Sequence, residues 1–357
     1  IDSMKRRAIV WLCETTGKSI LKLTDEDYNK NGLSDLLALE GSSYDLNIKM
    51  FNHFQNTITG WPGGKPGADD STRPERKSPK SKRVIIFSPH PDDDVVSMGG
   101  TFDRLVSQGH EVHIAYQVKG NIAVSDHDAL KFIEVSKDLF KNESKVPVSE
   151  LIKELKNNKP DKIDSQAVRN LKGFIRKSEA IAATRYIGIP DSNTHFLNLP
   201  FYDTGRIKKN PPTKKDVLIT ASLINKIKPH QIFAAGDLED PHGTHKVCLD
   251  IILEALETLK GEKFMKDCWL WLYRGAWLDW DIHDIDMAVP MSPAQVLRKR
   301  KAIFFHQTQK DGVMFQGQDL REFWVRAEER NSETAEKYKK MGLADYAAIE
   351  SFKRHYY

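Results

Sequence analysis

Residues 84–100 read VIIFSPHPDDDVVSMGG. The stretch opens with apolar residues, 84–87, which predict a short buried strand. His90 and a run of aspartates come next, and the apolar pattern that resumes at Val95 predicts a helix as far as Ser107. Because α/β proteins place their chemistry at the carboxyl edge of the sheet, the stretch predicts an α/β domain with a functional site at this loop.

The acidic loop contains three adjacent carboxylates, Asp92, Asp93 and Asp94. These groups repel one another, so the loop needs a nearby positive charge. A helix N-terminus supplies only a partial charge, whereas a divalent cation supplies far more. His90 and Asp93 can face the same point and share a metal ion, with Asp92 beside them as a base. The alternative is a helix N-cap with a solvated acidic turn.

A second strand-to-helix junction carries two histidines. Residues 231–236 predict a strand, and the Pro/Gly loop that follows contains His242 and His245. Neutral imidazole nitrogens suit zinc, and one of these histidines together with His90 and Asp93 would give three protein ligands. Such a set leaves the open position that a catalytic zinc needs. The alternative is a pair of loop histidines with no ligand.

The motif at residues 90–93, His-Pro-Asp-Asp, resembles the signature of the zinc-dependent LmbE/PIG-L deacetylase family, and the resemblance covers residues 82–357. It implies a Rossmann-like three-layer α/β sandwich with a mostly parallel sheet, and Zn2+ as the cofactor. The family's second loop reads His-Pro-Asp-His. By resemblance, His245 is therefore a metal ligand and His242 lies beside the substrate carbonyl.

This sequence departs from the family pattern at four positions of the two loops, and Gly243, in place of a proline, is one of them. Pro89 replaces an alanine and Asp94 replaces a glutamate. Thr244 stands where the family has an aspartate, which removes a carboxylate that would orient the metal-binding histidine. Asp237 or Asp240 supplies that carboxylate, or it is absent.

Three further elements resemble substrate-binding parts of the family. Arg176, in an Arg-x-x-Glu pattern with Glu179, would point its donors at substrate hydroxyls or a phosphate. Asn121 follows a strand end and would line the pocket, and His306 would close its far wall. The alternatives are a surface ion pair between Arg176 and Glu179 and an ordinary Gly-Asn turn.

Together with these residues, the family resemblance implies a hydrolase that cleaves the acetamide of an N-acetylglucosamine-type amino sugar, its phosphate or its conjugate, and releases acetate. Zinc-bound water is the nucleophile, Asp92 is the general base and His242 stabilises the oxyanion. The alternatives are an amidase for another acyl amine conjugate and a non-catalytic carbohydrate-binding module. The carbohydrate-binding alternative is motivated by Thr244, which lacks the carboxylate that the family has at this position.

The composition describes a soluble globular protein. Of 357 residues, 39% are hydrophobic and 29% are charged, and no apolar run approaches the length of a membrane span. The net charge is only +4, which gives no global case for nucleic-acid binding. Three scattered cysteines predict free thiols in a reducing compartment, and we expect a cytoplasmic location.

The chain divides by pattern into three parts. Residues 1–60 predict a helical extension, residues 61–82 a Pro/Gly-rich basic linker, and residues 83–357 the deacetylase domain. The first part loosely resembles the tail of a glucosamine-6-phosphate deaminase-like domain, which implies such a domain upstream in the full-length chain. The alternative is a plain helical extension packed on the main domain. The tail from residue 311 predicts packing helices.

Overall fold

The computed structural model describes residues 3–67, 80–139, 148–157, 163–206, 208–275, 277–310 and 320–357. The helices within these ranges are α1 (Ser3–Thr16), α2 (Asp25–Lys30), α3 (Ser34–Glu40), α4 (Ser43–Thr57), α5 (Asp93–Ser107), α6 (Asp126–Leu139), α7 (Val148–Lys156), α8 (Gln166–Ile187), α9 (Lys214–Ile227), α10 (Thr244–Thr258), α11 (Pro293–Phe304) and α12 (Phe323–Lys340). The strands are β1 (Arg83–Ser88), β2 (Glu111–Tyr116), β3 (Thr194–Phe196), β4 (Gln231–Ala235), β5 (Trp269–Tyr273), β6 (Met287–Met291) and β7 (Ala348–His355).

The strands form one sheet in the order β3-β2-β1-β4-β5-β7-β6. All pairs are parallel except those of β7, which runs antiparallel between β5 and β6. The chain leaves β1 towards β2 and β3 and later returns to the other side of β1 as β4. This reversal is a topological switch point, where the loops after two neighbouring strands diverge and leave a crevice. The predicted α/β fold with a mostly parallel sheet is confirmed.

Apolar side chains cover both faces of the sheet. In β1, Ile85 and Phe87 pack in a core with α9, α10 and the N-terminal helices, whereas Val84 and Ile86 pack with α5, α8 and α11. A strand buried on both faces reads as a continuous apolar run, which is the pattern that β1 shows. Helices α6 and α7 pack against each other and α8 around a smaller apolar cluster of their own.

The N-terminal helices α1 to α4 lie against the main body of the protein. Thr57 Oγ1 is 2.9 Å from the hydroxyl of Tyr338 in α12, and the Phe54 ring meets the Tyr338 ring edge-on. These helices share a core with the sheet. The division into extension, linker and catalytic domain stays a prediction, and residues 68–79 of the linker lie outside the described residues.

The chain after residue 319 contains a helix and a strand, where the sequence predicts helices alone. The prediction is wrong for β7, which is inserted between two other strands. An acidic residue, Glu350, lies fully buried in this strand, because its carboxylate accepts hydrogen bonds from the backbone N–H groups of Gly100 and Thr101. A charge in mid-strand hides the pattern of a buried strand. Residues 311–319 lie outside the described residues.

Two smaller findings concern the cysteines and the length of the helices. Cys13, Cys248 and Cys268 are free and buried. Among the described helices, none combines the length and apolar character needed to cross a membrane.

Candidate active site

The loop between β1 and α5 places His90 and Asp93 side by side. The Asp93 carboxylate accepts a hydrogen bond from the His90 backbone N–H, with an N to Oδ2 distance of 2.8 Å. The same oxygen lies 3.2 Å from Nδ1 of the His90 ring. Asp93 begins α5, where the helix dipole favours a negative charge. The short loop therefore presents one imidazole and one carboxylate to the same point.

The loop between β4 and α10 brings His245 to that point. Its Nε2 lies 3.2 Å from Asp93 Oδ2, and its Nδ1 lies 2.7 Å from the backbone carbonyl oxygen of Asp237. The carbonyl can only accept, so Nδ1 carries a proton and Nε2 is the ring nitrogen that faces Asp93. The Asp240 carboxylate accepts hydrogen bonds from the N–H groups of Thr244 and His245 and caps α10.

His90, Asp93 and His245 each offer a ligand atom, and these atoms lie within 4.8 Å of one another. Burial by itself raises the pKa of Asp93, but the charge of His245 and hydrogen bonds from both histidines hold it well below its usual range. Burial by itself lowers the pKa of His245, but Asp93 raises it to about 10. The cluster thus attracts positive charge. Two imidazole nitrogens and one carboxylate oxygen fit the donor set of a zinc site with three protein ligands.

Because position 244 is a threonine rather than an aspartate, another group must orient the His245 ring. The backbone carbonyl of Asp237 does so, and not the side chain of Asp237 or Asp240. The Asp237 carboxylate instead accepts hydrogen bonds from the N–H groups of Trp277 and Leu278. A side-chain motif cannot reveal this contact, because any residue at position 237 supplies a carbonyl.

Asp92 lies next to the cluster and is held by Arg176. Arg176 Nη2 donates to Asp92 Oδ1 at 2.8 Å, and Arg176 is only 1% exposed. The carboxylate of Glu179 accepts instead from the N–H and hydroxyl of Thr308. The alternative of a surface ion pair between Arg176 and Glu179 is therefore wrong. Burial raises the pKa of Asp92, and the charge of Arg176 opposes part of that rise.

The other predicted pocket residues lie around Arg176. His306 is 1% exposed, and among the described residues neither of its ring nitrogens has a hydrogen-bond partner. Burial, with the charge of Arg176, lowers the pKa of His306 to about 3. Gly120 packs so tightly that a Cβ there would lie 3.0 Å from Pro91 and 3.4 Å from Arg176. Asn121 is buried and comes directly after Gly120, in the loop that follows β2.

His242 lies on the β4–α10 loop and is less buried than its neighbours. Burial, and then the charge of His90, lowers its pKa. The neutral imidazole is therefore the prevailing form of His242 at neutral pH.

The third aspartate of the motif, Asp94, faces the interior. Its carboxylate accepts hydrogen bonds from the hydroxyls of Tyr116 at 3.0 Å and Ser88 at 3.3 Å. Burial raises the pKa of Asp94 to about 7. This residue joins β1, β2 and α5 behind the cluster rather than facing it.

Sequence reasoning missed two residues beside the cluster. The Tyr202 ring lies edge-on to the His90 ring with centroids 6.2 Å apart, and Lys209 Nζ lies 3.8 Å from the centre of the Tyr202 ring. Both follow β3 in the chain. Functional residues of α/β proteins lie in the loops after the carboxyl ends of parallel strands, and this rule applies to β3 as it does to β1 and β4. Applied to the loop after β3, it could have predicted both residues.

The fold and the site define an α/β protein with a largely buried His-Asp-His cluster at the switch point of its sheet. Residues 85–256, just under half of the chain, match the model of the family described as PIG-L: GlcNAc-PI de-N-acetylase. Both loops of the cluster lie within the matched range.

A curated protein of Bacteroides thetaiotaomicron, named as a glucosamine-6-phosphate deaminase-like protein, is 54% identical to this chain over 360 residues. The match covers 98% of this chain and 54% of the relative, so the chain spans about half the length of the curated relative it matches. The relative's name does not confirm an upstream deaminase-like domain, which stays a prediction.

Solved structures with a similar fold include the N,N'-diacetylchitobiose deacetylase of Pyrococcus horikoshii, with a TM-score of 0.48 and 18% identity over 77% of this chain and 84% of that chain. They also include the 4-carboxy-2-hydroxymuconate hydratase of Pseudomonas putida, with a TM-score of 0.47 and 14% identity over 77% of this chain and 97% of that chain.

Proposed function

We propose that this protein hydrolyses the acetamide of an N-acetylglucosamine-type amino sugar and releases acetate. The observation that carries the proposal is the convergence of His90, Asp93 and His245 from two loops, with Asp92 and His242 beside them. The match of residues 85–256 to a de-N-acetylase family supports it.

His90, Asp93 and His245 would hold the metal ion, which we propose is zinc. When bound, zinc lowers the pKa of a water molecule towards about 7 and polarises a carbonyl group. The Nδ1–H of His245 is directed to the Asp237 carbonyl, so Nε2 is the nitrogen that would bind the metal once it has lost its proton.

Asp92 is the general base in this proposal. Burial raises its pKa, which makes it a stronger base than an exposed aspartate, while Arg176 fixes one carboxylate oxygen at 2.8 Å. The other oxygen is the one with which Asp92 takes a proton from the attacking water. The protonated carboxyl then returns that proton to the departing amine, so that the amino sugar leaves as a neutral amine.

His242 acts as a hydrogen-bond donor to the substrate carbonyl oxygen. Because the lowered pKa favours the neutral ring, the donor is an imidazole N–H rather than an imidazolium. Negative charge develops on the carbonyl oxygen as the water attacks, so a fixed N–H at this place lowers the barrier more than it strengthens substrate binding.

The sugar ring is proposed to bind against Arg176, Asn121 and His306. The Nε of Arg176 and both ring nitrogens of His306 are buried and lack hydrogen-bond partners among the described residues. Leaving such groups unpaired costs about 1–3 kcal/mol each, so they favour a ligand with several hydroxyl groups.

An acetate-release assay over N-acetylglucosamine, its phosphates and N-acyl amines without a sugar tests this proposal. We expect the zinc-loaded protein to release acetate from the sugars, and a chelator to abolish the reaction until zinc is restored. Asp92→Asn should keep zinc and lose at least about a hundredfold in kcat, because general-base catalysis contributes about that much. Asp191→Asn, a surface change at the opposite edge of the sheet, is the matched control.

Full activity of Asp92→Asn would show that the assigned base is wrong. Activity confined to acyl amines without a sugar would favour the amidase alternative. Sugar binding without any acetate release would favour a carbohydrate-binding module.

A further inference from the structure

The loop that follows β3 places the ammonium group of Lys209 beside the candidate metal site. Lys209 Nζ lies 3.8 Å from the centre of the Tyr202 ring. The Tyr202 ring in turn lies edge-on to the His90 ring, with 6.2 Å between the two ring centroids. A single aromatic ring therefore separates the ammonium group from one of the proposed zinc ligands. A substituent that contacts Lys209 while the acetamide lies at the cluster would have to span the width of that ring.

Contacts within the loop hold this lysine in place. The backbone N–H of Asn210 donates to the carbonyl of Phe201 at 3.1 Å, which closes the loop around Tyr202. Lys209 Nζ donates to the carbonyl of Arg206 at 2.6 Å and uses one of its three donors there. The remaining donors of the positioned ammonium group are available to a ligand.

The charges around Lys209 leave an excess of positive charge. The neighbouring carboxylate, Asp203, lies 3.4 Å from Lys119 Nζ and 3.8 Å from Arg169 Nε. Within the described part of the chain, no carboxylate lies within ion-pair distance of Lys209. Burial lowers the pKa of Lys209 to about 8, and the charge of Asp203 opposes part of that shift.

We propose that Lys209 binds an anionic substituent, a phosphate ester or a carboxylate, on the amino sugar whose acetamide lies at the His-Asp-His cluster. The inference rests on the proposed function and adds the substrate class, a negatively charged amino sugar rather than a neutral one. Lys119 and Arg169 contribute to the positive potential at the same side of the site. A charge-assisted hydrogen bond to a half-buried ammonium group corresponds to at least about a tenfold preference for the charged sugar.

The test compares kcat/KM for N-acetylglucosamine, its 1-phosphate, its 6-phosphate and N-acetylmuramic acid. In the zinc-loaded wild type we expect at least one anionic sugar to be preferred, and Lys209→Met should reduce that preference about tenfold through KM rather than kcat. Lys209→Arg should restore most of it, and Lys208→Met, an exposed neighbour in the same loop, is the matched control. The preferred sugar distinguishes a phosphate from a carboxylate.

Calorimetry with glucosamine, its phosphates and muramic acid measures the same preference without turnover. If Lys209→Met has the same preference as wild type in both assays, Lys209 has no such role, and the hydrolase proposal still stands. If no sugar releases acetate, the proposed function fails. The calorimetric comparison then decides the role of Lys209, because a preference lost in Lys209→Met supports it and the absence of any preference overturns it.

Discussion

At the scale of single residues, the site depends on which polar atoms already have partners. The histidine at position 245 has one nitrogen bonded to a carbonyl and the other facing Asp93. His306 has two nitrogens without partners among the described residues, in a fully buried position. The first histidine is prepared for a metal and the second for a polar ligand. The sequence pattern predicted that both histidines belong to the functional site. It could not predict which of their ring nitrogens have hydrogen-bond partners.

The buried neutral state of His306 predicts a dependence of stability on pH. The pKa of His306 is about 3 in the folded protein and about 6.5 in an unfolded chain. Above pH 6.5 both states are neutral, and as the pH falls below that value only the unfolded state gains a proton. His306 therefore makes the free energy of unfolding fall with acidification, by up to about 1.4 kcal/mol per pH unit.

Replacing this ring tests the prediction. Urea unfolding from pH 6.5 to pH 4 should show a shallower loss of stability for His306→Gln than for wild type. His127→Gln, at an exposed position of α6, is the control. Equal pH slopes for wild type and His306→Gln would mean that His306 takes up a proton without unfolding.

At the scale of elements, the helix that carries Asp93 is not one regular helix. Met98 in α5 has non-helical backbone angles, φ −136° and ψ 26°, so the helix restarts there. Glu350 in β7 accepts hydrogen bonds from the N–H groups of Gly100 and Thr101 and acts as a cap for the second half. Lys299 Nζ donates to the same carboxylate at 2.8 Å in a fully buried position.

This arrangement predicts a large cost for removing the charge of Glu350. Glu350→Gln leaves Lys299 buried without its counter-ion, and breaking such a pair costs about 3–5 kcal/mol. We expect urea unfolding to show that loss, and the double variant Glu350→Gln with Lys299→Met to recover a large part of it. The single variant Lys299→Met is the necessary comparison. A loss below about 0.5 kcal/mol in Glu350→Gln would show that the pair does not stabilise α5.

The elements also show where sequence reasoning succeeds. β1, α5 and β4 were predictable, because each has a continuous apolar pattern next to a loop of turn residues and charges. The cap on α5 was not, because its carboxylate comes from a strand far along the chain. Likewise, the partner of Asp92 is Arg176 on α8, and no local pattern joins the two residues.

At the scale of the whole molecule, the order of the strands brings the site together. β1 and β4 are neighbours although α5, β2 and β3 lie between them in sequence, so their two loops open into the same crevice. The sequence predicted both loops and the edge on which they lie. It did not predict the third loop, after β3, that contributes Tyr202 and Lys209.

The account depends on one cation held between these loops, and anomalous X-ray diffraction at the zinc edge locates such an ion directly. Crystals of the zinc-loaded protein should show one strong peak within bonding distance of His90, Asp93 and His245, and crystals of Asp93→Asn grown in the same way should lack it. A zinc peak elsewhere, with none between these three side chains in the wild type, would contradict the account.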